Sequence, residues 1–504
     1  MLKRMIKVLL PKSVLLLYHK TLAVLANVYY RFPSRKLIVI GVTGTKGKSS
    51  AVLMITRILE EAGYKVGSSN TIFFKTGEKE WSNDTKQGMP GRFKLQRLLS
   101  QMVGSGCTHA VIEVTSEGIL QNRHWGIAFD AAVFTNLSPE HIESHGSFAA
   151  YREAKAVIFK NLAKSYQKNE YSIVSLRAPR GYSGQAPRSN PEINSGIAAQ
   201  RVASLWLASV ASTLPRNDNG RSTIKKVIVA NRLDSEAPYF LKFPAQEKWG
   251  VWGNCGQAEE IAGEKKLCAS DIREGAKGVS FTVEGRFIQM SLPGVFMAHN
   301  AMLAMAVALA LGASLTSCKE ALEKISFIPG RLQAIDAGQN FKVMVDYAHE
   351  PRSFESVLEV GRRQALGHKL IVVFGVTGGG RDKAKRPIMG ELAAQGADYV
   401  ILTTDDPYND DPEKLINDIV PGINKTGKSE GENWWRVVDR RQAMQKAFQL
   451  ASAGDVVLLL GKGSEQVMAV AGKLVPWNDE EVAREILRKI QETRNNNQTR
   501  YNIQ

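Results

Sequence analysis

Nine residues near the start of the chain constrain its fold more than any others: Gly41-Val42-Thr43-Gly44-Thr45-Lys46-Gly47-Lys48-Ser49. They overlap the end of an apolar run, LIVIGV at 37–42, and lead into AVLMITRILEEAG at 51–63. The first run reads as a buried strand and the second as a helix closed by Gly63. A strand passing through glycines straight into a helix opens a parallel α/β layer. The glycines let the backbone approach an anion, and the helix N-terminus aims free N–H groups and a favourable dipole at it. The strict pattern GxxxxGK[ST] is not met, because Val42 stands at its first glycine, whereas GxxGTxGK[ST] is met in full. The loop therefore predicts nucleotide binding through Gly44, Thr45, Lys46, Gly47, Lys48, Ser49 and Ser50. Lys48 would reach the β- and γ-phosphates of ATP, and Ser49 would ligate Mg²⁺.

The same alternation continues. HAVIEV (109–114) and AAVFTN (131–136) read as further strands of one sheet. After Pro329-Gly330 a second set begins, with FKVMVDYA (341–348), KLIVVFGV (369–376), YVILTT (399–404) and DVVLLLG (455–461). Between them, 161–226 contains RAPRGYSGQAPRSNPEINSG, rich in Pro, Gly, Ser and Arg, and reads as an insertion. With 504 residues the chain has room for two or three cores. The expected fold is α/β in three parts: a basic helical segment at 1–36, a central P-loop ATP-binding domain at 37–330, and a C-terminal Rossmann-like α/β domain at 331–504.

Charge is unevenly spread. The net formal charge is +17, and no Asp or Glu precedes Glu60. That favours anionic partners such as nucleotides, phosphates or a membrane surface. Residues 13–30 are apolar but broken by His19 and Lys20, whereas spanning a bilayer takes about 20 mainly apolar residues. The segment reads as a helix packed on the next domain or as a basic helix at a membrane interface. No cleavable signal is recognised. The four cysteines, Cys107, Cys255, Cys268 and Cys318, lie far apart without a CxxC pair. This spacing argues against a disulfide framework or a zinc site and fits a reducing, cytoplasmic setting.

Further segments fall in an order that resembles a known family. After the GTxGK[ST] loop come Glu113-Val114-Thr115-Ser116, Phe134 to His141 (FTNLSPEH), His145-Gly146 and YREAK at 151–155. Then follow His299-Asn300, Pro329-Gly330-Arg331, Asp346-Tyr347-Ala348-His349, GGRDKAKRP at 379–387 and Gly461-Lys462-Gly463-Ser464-Glu465. From about 37 to 490 this is similar to the Mur ligases, and within them to the UDP-N-acetylmuramoyl-tripeptide synthetase branch (MurE type). The resemblance implies an ATP- and Mg²⁺-dependent, ADP-forming acid–amino-acid ligase of peptidoglycan precursor synthesis. Its partners would be a UDP-muramoyl peptide and an amino acid, not nucleic acid, and the chain would be a monomer.

By resemblance, Lys48, Glu113, His141 and Lys155 are catalytic, and Ser49, Glu113, His141 and Lys155 hold metal, Lys155 as a carbamate. Asn300, Arg331, Asp346 and His349 would bind the nucleotide from the C-terminal side. Ser116, Gln121 and Arg123 match the muramoyl-substrate positions. Arg381, the segment Asp405-Asp406-Pro407-Tyr408, Gly461 and Glu465 match the incoming amino acid's site, with Arg381 on its carboxylate and Glu465 on a distal amine. An arginine beside a sugar acid, diphosphate or carboxylate offers two parallel hydrogen bonds.

Departures are as informative. Only about 36 residues precede the first strand, whereas the family carries a further N-terminal domain for the uridine end. The family's Thr-Thr pair reads Gly88-Met89, Glu117 replaces a His, and Ser464 replaces the His of GKGHE. DNPR, whose Arg grips the distal carboxylate of diaminopimelate, reads Asp405-Asp406-Pro407-Tyr408. Without that cation, and with Asp406 adding negative charge, the expectation is poor use of meso-diaminopimelate and preference for a distal ammonium, as in L-lysine. Two other readings fit parts of the pattern. One is a folylpolyglutamate-type ligase, against which RDKxKRP counts. The other is a non-catalytic, nucleotide-binding, membrane-associated scaffold, which would have no use for Lys48, Glu113, His141 and Lys155 together.

Overall fold

The computed structural model describes residues 12–140, 145–169, 173, 223–380 and 383–501. The uninterrupted aliphatic runs form strands buried on both faces, as parallel sheets require. The first sheet has nine strands: β1 (Ile38–Thr43), β2 (Val66–Ser69), β3 (Phe73–Thr76), β4 (Lys79–Ser82), β5 (His109–Glu113), β6 (Ala131–Phe134), β7 (Val227–Asn231), β8 (Glu247–Trp252) and β9 (Lys265–Cys268). Their spatial order is β4-β3-β2-β5-β1-β6-β7-β8-β9. Every pairing is parallel except β2 with β3 and β3 with β4. That edge hairpin turns at Gly77, whose φ is 67°. It was not expected from the sequence, because its four-residue strands are short and one is solvent-facing.

Helices cover both faces. Lys48–Glu61 and Val295–Ala310 close one core, with Met54, Ile58, Met302 and Met305 at its centre. Arg92–Gly104 and Phe148–Leu162 close the other around Leu99, Phe134 and Phe159. β1 sits between β5 and β6, with Val42 opposite Glu113 and Thr43 opposite Phe134. Three carboxyl ends thus lie side by side where strand order reverses, the usual place for a ligand crevice in such sheets.

An antiparallel sheet of β10 (Ser270–Gly275), β11 (Gly278–Val283) and β12 (Arg286–Met290) follows. A second α/β layer has β13 (Gln333–Ile335), β14 (Lys342–Asp346), β15 (Leu370–Phe374), β16 (Tyr399–Leu402), β17 (Trp434–Arg436) and β18 (Val456–Leu460). Their order is β13-β14-β18-β15-β16-β17, parallel except at β13. A hairpin of β19 (Val467–Val470) and β20 (Lys473–Pro476) follows.

Most of the segment read as an insertion, 174–222 included, lies outside the described residues. Its flanks are fixed. Lys168 and Lys226 both place Nζ on the fully buried Asp130 carboxylate, Lys226 at 3.0 Å. Lys168 also donates to the carbonyls of Leu37 and Ala128. A carboxylate flanked by two ammoniums and several carbonyls is matched well enough to stay buried.

The cysteine spacing misled. Cys255 and Cys268 form a disulfide, with Cα atoms 5.0 Å apart. Cys268 ends β9 beside Trp252 of β8, and Cys255 lies three residues beyond Trp252. Adjacent strands therefore bring the two together, which their separation of 13 in sequence does not reveal.

The N-terminal helix Lys12–Tyr29 packs on Arg92–Gly104 through its second half, where Ala23, Ala26 and Asn27 are buried. Asn27 Nδ2 donates to the carbonyls of Ala23 and Trp125, both at 2.9 Å. Val14, Leu16, Leu17, Tyr18, Leu25, Val28 and Tyr29 remain exposed. Among the described residues no helix is long and apolar enough to cross a membrane.

Candidate active site

The loop after β1 is held open by two glycines. A Cβ on Gly44 would lie 1.9 Å from Thr135 Oγ1, and one on Gly47 would lie 2.4 Å from Asn300 Oδ1. Gly47, at φ 78°, starts the helix Lys48–Glu61. The loop's own donors are fixed from β6: Thr45 N reaches Asn136 O and Lys46 N reaches Asn136 Oδ1, each at 2.8 Å. Ser50 is buried beneath the loop.

Beside this loop the structure gathers Lys48, Ser49, Glu113 and Lys155. Ser49 Oγ donates to Glu113 Oε2 at 2.8 Å, and Thr71 adds its N–H and hydroxyl to the same oxygen, each at 2.9 Å. Lys155 comes from the helix Phe148–Leu162, which Ser147 caps by accepting from Ala150 N. Its Nζ donates to the Gly44 carbonyl at 2.6 Å and lies 4.5 Å from the centre of the Tyr151 ring. Burial holds the Lys155 ammonium well below its ordinary pKa, and Lys48 pushes in the same direction. Burial also lowers Lys48, whose Nζ donates to Thr45 O at 2.8 Å. Lys46 pairs with Glu140 at 3.0 Å. Hydroxyl and carboxylate oxygens such as Ser49 and Glu113 are hard donors of the kind Mg²⁺ takes, with phosphate oxygens and water completing the shell. Among the described residues no cluster of three or more His, Cys, Asp and Glu stands ready for a metal. His141 lies outside the described residues.

The second layer faces this loop. Arg331 stacks its guanidinium 4.6 Å from the centre of the Tyr347 ring, and its charge acts on Lys48. Asp346 accepts from Leu332 N and Ala348 N, both at 2.7 Å, pinning the chain on either side of Arg331 and His349. Burial pushes its carboxyl up, opposed by Arg331 and Lys46. His349 Nδ1 lies 2.7 Å from Tyr347 O, so its ring is held by its own turn.

A third group lies at the other side of the crevice. Ser116 is buried at the start of the helix Ser116–Leu120, which Thr115 caps. Arg123 donates to Gln121 Oε1 at 2.8 Å and to Gln87 Oε1 at 3.0 Å. The Gly88 backbone lies against Glu113, since a Cβ there would stand 2.7 Å from Oε1.

The fourth group joins both layers. Lys462 Nζ lies 3.0 Å from Asp406 Oδ1 and also contacts Glu465 Oε2. Lys86, from the loop after β4, reaches across to Asp406 Oδ2 and, at 2.9 Å, to Glu465 Oε2. Ala469 N completes Asp406 at 2.8 Å. Burial pushes Asp406 up, but Lys462 and Lys86 outweigh it, so the carboxyl stays below its ordinary range. Asp405 is buried beside Gly461, and burial raises it to about 6. Tyr408, at φ 54°, is fixed by its N–H on Ala469 O at 2.9 Å, with Pro407 just before it. Arg381 lies outside the described residues.

Asp406, whose negative charge is expected to favour a distal ammonium, and Glu465, expected on a distal amine, are both paired with the chain's own lysines. Lys86 carries no motif and lies 320 positions from Asp406, so no sequence signal joined them. Thr71 was missed for the same reason.

Two family descriptions match the sequence: "Mur ligase middle domain" over residues 42–213 and "Mur ligase, glutamate ligase domain" over 330–463. A UDP-N-acetylmuramyl-tripeptide synthetase of Roseiflexus sp. (strain RS-1) is 35% identical over 479 residues, covering 93% of this chain and 82% of the relative. A UDP-N-acetylmuramoyl-L-alanyl-D-glutamate–2,6-diaminopimelate ligase of Syntrophomonas wolfei is 32% identical, with 93% and 81% covered. Of solved structures, a ligase of that latter kind superposes with a TM-score of 0.52 at 26% identity, covering 90% of this chain and 79% of that one. A Mycobacterium tuberculosis folylpolyglutamate synthase shares the fold, with a TM-score of 0.59 at 15% identity, covering 95% of this chain and 99% of that one. The chain belongs to the Mur ligase family, ATP-dependent enzymes that form an amide bond and release ADP.

Proposed function

We propose that this enzyme adds an amino acid to a UDP-MurNAc-dipeptide-like acceptor in peptidoglycan precursor synthesis. The observation that carries this reading is Lys155: a lysine 2% exposed, aimed at the phosphate loop beside Lys48 and Glu113, with its pKa held well below the ordinary value by burial. Only the neutral amine adds CO2, and a carbamate nitrogen keeps one hydrogen for the Gly44 carbonyl. Lys155 then becomes a carboxylate opposite Glu113, and an excess of buried cations becomes a balanced site.

The acceptor carboxylate attacks the γ-phosphate in line, giving an acyl phosphate and ADP. The amino group then attacks the acyl carbon, and phosphate leaves. Ser49, Glu113 and a carbamylated Lys155 would hold Mg²⁺, which would supply the charge neutralisation that lets two anions meet. The loop N–H groups and Lys48 bind the phosphates, and Asn300, Arg331, Asp346 and His349 close on the nucleotide. Ser116, Gln121 and Arg123 orient the acceptor. Closure of the second layer over the loop would exclude water, which would hydrolyse the acyl phosphate. Phosphate release driven by UDP-MurNAc-dipeptide, tested across a panel of amino acids, decides the reading. ATP turnover that no amino acid in the panel stimulates rejects it.

Tyr408 offers a phenol where a distal carboxylate would need a guanidinium. A lost charge-assisted pair is worth about 3 kcal/mol, so meso-diaminopimelate should show a kcat/KM roughly a hundredfold below that of the preferred amino acid. Equal values for the two would remove Tyr408 from the specificity site.

The exposed apolar residues of the helix Lys12–Tyr29, in a stretch without a single acid, support contact with an anionic membrane surface. Each nearby Lys or Arg adds about 1 kcal/mol to such binding. The full chain should float with anionic liposomes and not with neutral ones, and a truncation beginning at Pro33 should stay behind. Equal flotation of the two proteins would leave the helix a packing element.

A further inference from the structure

Lys86 is set too firmly to be a stray surface lysine. It sits at φ 52°, a backbone region that costs a non-glycine residue energy and persists only where surroundings impose it. Asn83 imposes it. Its Oδ1 accepts from Thr85 N at 2.8 Å and Thr85 Oγ1 at 2.6 Å, and its Nδ2 donates to Asn70 O at 2.7 Å and Gln87 O at 3.0 Å. Asn70 is in turn fixed by the N–H groups of Ile72 and Phe73 on its Oδ1. The next residue, Thr71, bonds Glu113. The turn that carries Lys86 is therefore tied through its hydrogen bonds to the phosphate side of the site.

At its far end the Lys86 ammonium meets two carboxylates, Asp406 and Glu465, on a segment of the other layer. Its side chain is 12% exposed, and theirs are 8% and 11%. Two carboxylates converging from two sides on one nearly dry ammonium are what a site for a lysine-like side chain would present. Here the chain supplies that ammonium itself. Lys462 lies across the same pair, so Asp406 and Glu465 face two cations. The position between these two carboxylates is thus already taken by the chain's own ammonium. Asp405, the remaining carboxylate, is 3% exposed and lies 3.9 Å through Oδ1 from the same Lys462 Nζ.

We propose that Lys86 is a specificity-determining residue: it fills the position a distal ammonium would take, so the amino acid this enzyme accepts has an uncharged side chain. This rests on the reading of 405–408 and 461–465 as the incoming amino acid's site. The missing cation at Tyr408 excludes a distal carboxylate, and Lys86 excludes a distal ammonium.

L-Norleucine and L-lysine test it, because they share a four-carbon chain and differ by the ammonium. Their binding to the full-length protein with a non-hydrolysable ATP analogue is measured by calorimetry, and their kcat/KM by phosphate release. The wild type should favour L-norleucine by at least tenfold. Lys86→Met, which keeps length and removes charge, should move the ratio toward L-lysine by at least tenfold. Lys86→Arg, which keeps the cation, should leave L-norleucine favoured. A wild type that binds L-lysine as well as L-norleucine, or a ratio unmoved in Lys86→Met with its circular dichroism intact, overturns the proposal. Should Lys86→Met fail to fold, loss of the preference in Lys86→Arg overturns it instead. The two readouts separate the failures: no phosphate release with UDP-MurNAc-dipeptide refutes the acceptor reading, while the calorimetric ratio still decides Lys86.

Discussion

Lys155→Ala should abolish ligation, with kcat falling at least a thousandfold, about 4 kcal/mol of transition-state stabilisation. In the wild type a buried Lys155 ammonium beside Lys48 would leave two cations facing one another across the phosphate loop, and burial already disfavours that charge. Carbamylation reverses the sign at this point. Alanine removes the nitrogen on which the carbamate forms and leaves a small void beside Tyr151. Short carboxylates such as formate or acetate should enter that void and restore part of the rate, since they return the missing negative charge. They should leave the wild type unaffected. Lys155→Ala turning over at the wild-type rate would remove the residue from the reaction. Because the carbamate needs the free amine, wild-type activity should also fall as pH drops and Lys155 protonates. Added bicarbonate should recover activity near neutral pH.

Glu113→Ala and Lys48→Ala should each stop ATP turnover while leaving the fold intact. Glu113 is 2% exposed and accepts three hydrogen bonds from Ser49 and Thr71 on one oxygen. Removing it orphans those donors and strips a carboxylate from the metal side of the site, which costs about 3 kcal/mol or more. Lys48 sits under the loop with its Nζ on Thr45 O. Without it the γ-phosphate loses its fixed cation, and a loss of about a hundredfold to a thousandfold is expected. The two variants should part in binding: Lys48→Ala should weaken ATP itself, whereas Glu113→Ala should weaken mainly the Mg²⁺ dependence. Circular dichroism and phosphate release check both, and turnover retained in either variant would exclude that residue. The aliphatic strands around them, β1, β5 and β6, do not depend on these side chains for their core.

The strands LIVIGV, HAVIEV and AAVFTN, and β14, β15, β16 and β18 of the second layer, were legible because parallel sheets bury both faces and leave unbroken aliphatic runs. The hairpin β3–β4 and the strands from β7 to β12 were not legible. The hairpin strands are short and β10 alternates in burial, so local pattern does not tell them from loops, while β7 (VIVAN) is a buried aliphatic run that was passed over beside the segment read as an insertion. The turn from β1 into the helix Lys48–Glu61 was legible, because glycines at fixed offsets are a local requirement of passing from strand to helix there. Glu113 and Lys155 could be named from motif order, though only the fold shows that Lys155 reaches Gly44 and is buried enough to lower its pKa. The sequence by itself thus determined the two α/β layers and the turn between strand and helix at the loop, since periodicity and turn chemistry act over a few residues. The tertiary structure decided the Cys255–Cys268 disulfide, the pinning of Lys168 and Lys226 on Asp130, and the meeting of Lys86 with Asp406 and Glu465. Each of these joins groups from separate strands or separate layers. Whether a charge is free or already matched depends on what the folded chain brings beside it, and that distance is not written in sequence spacing.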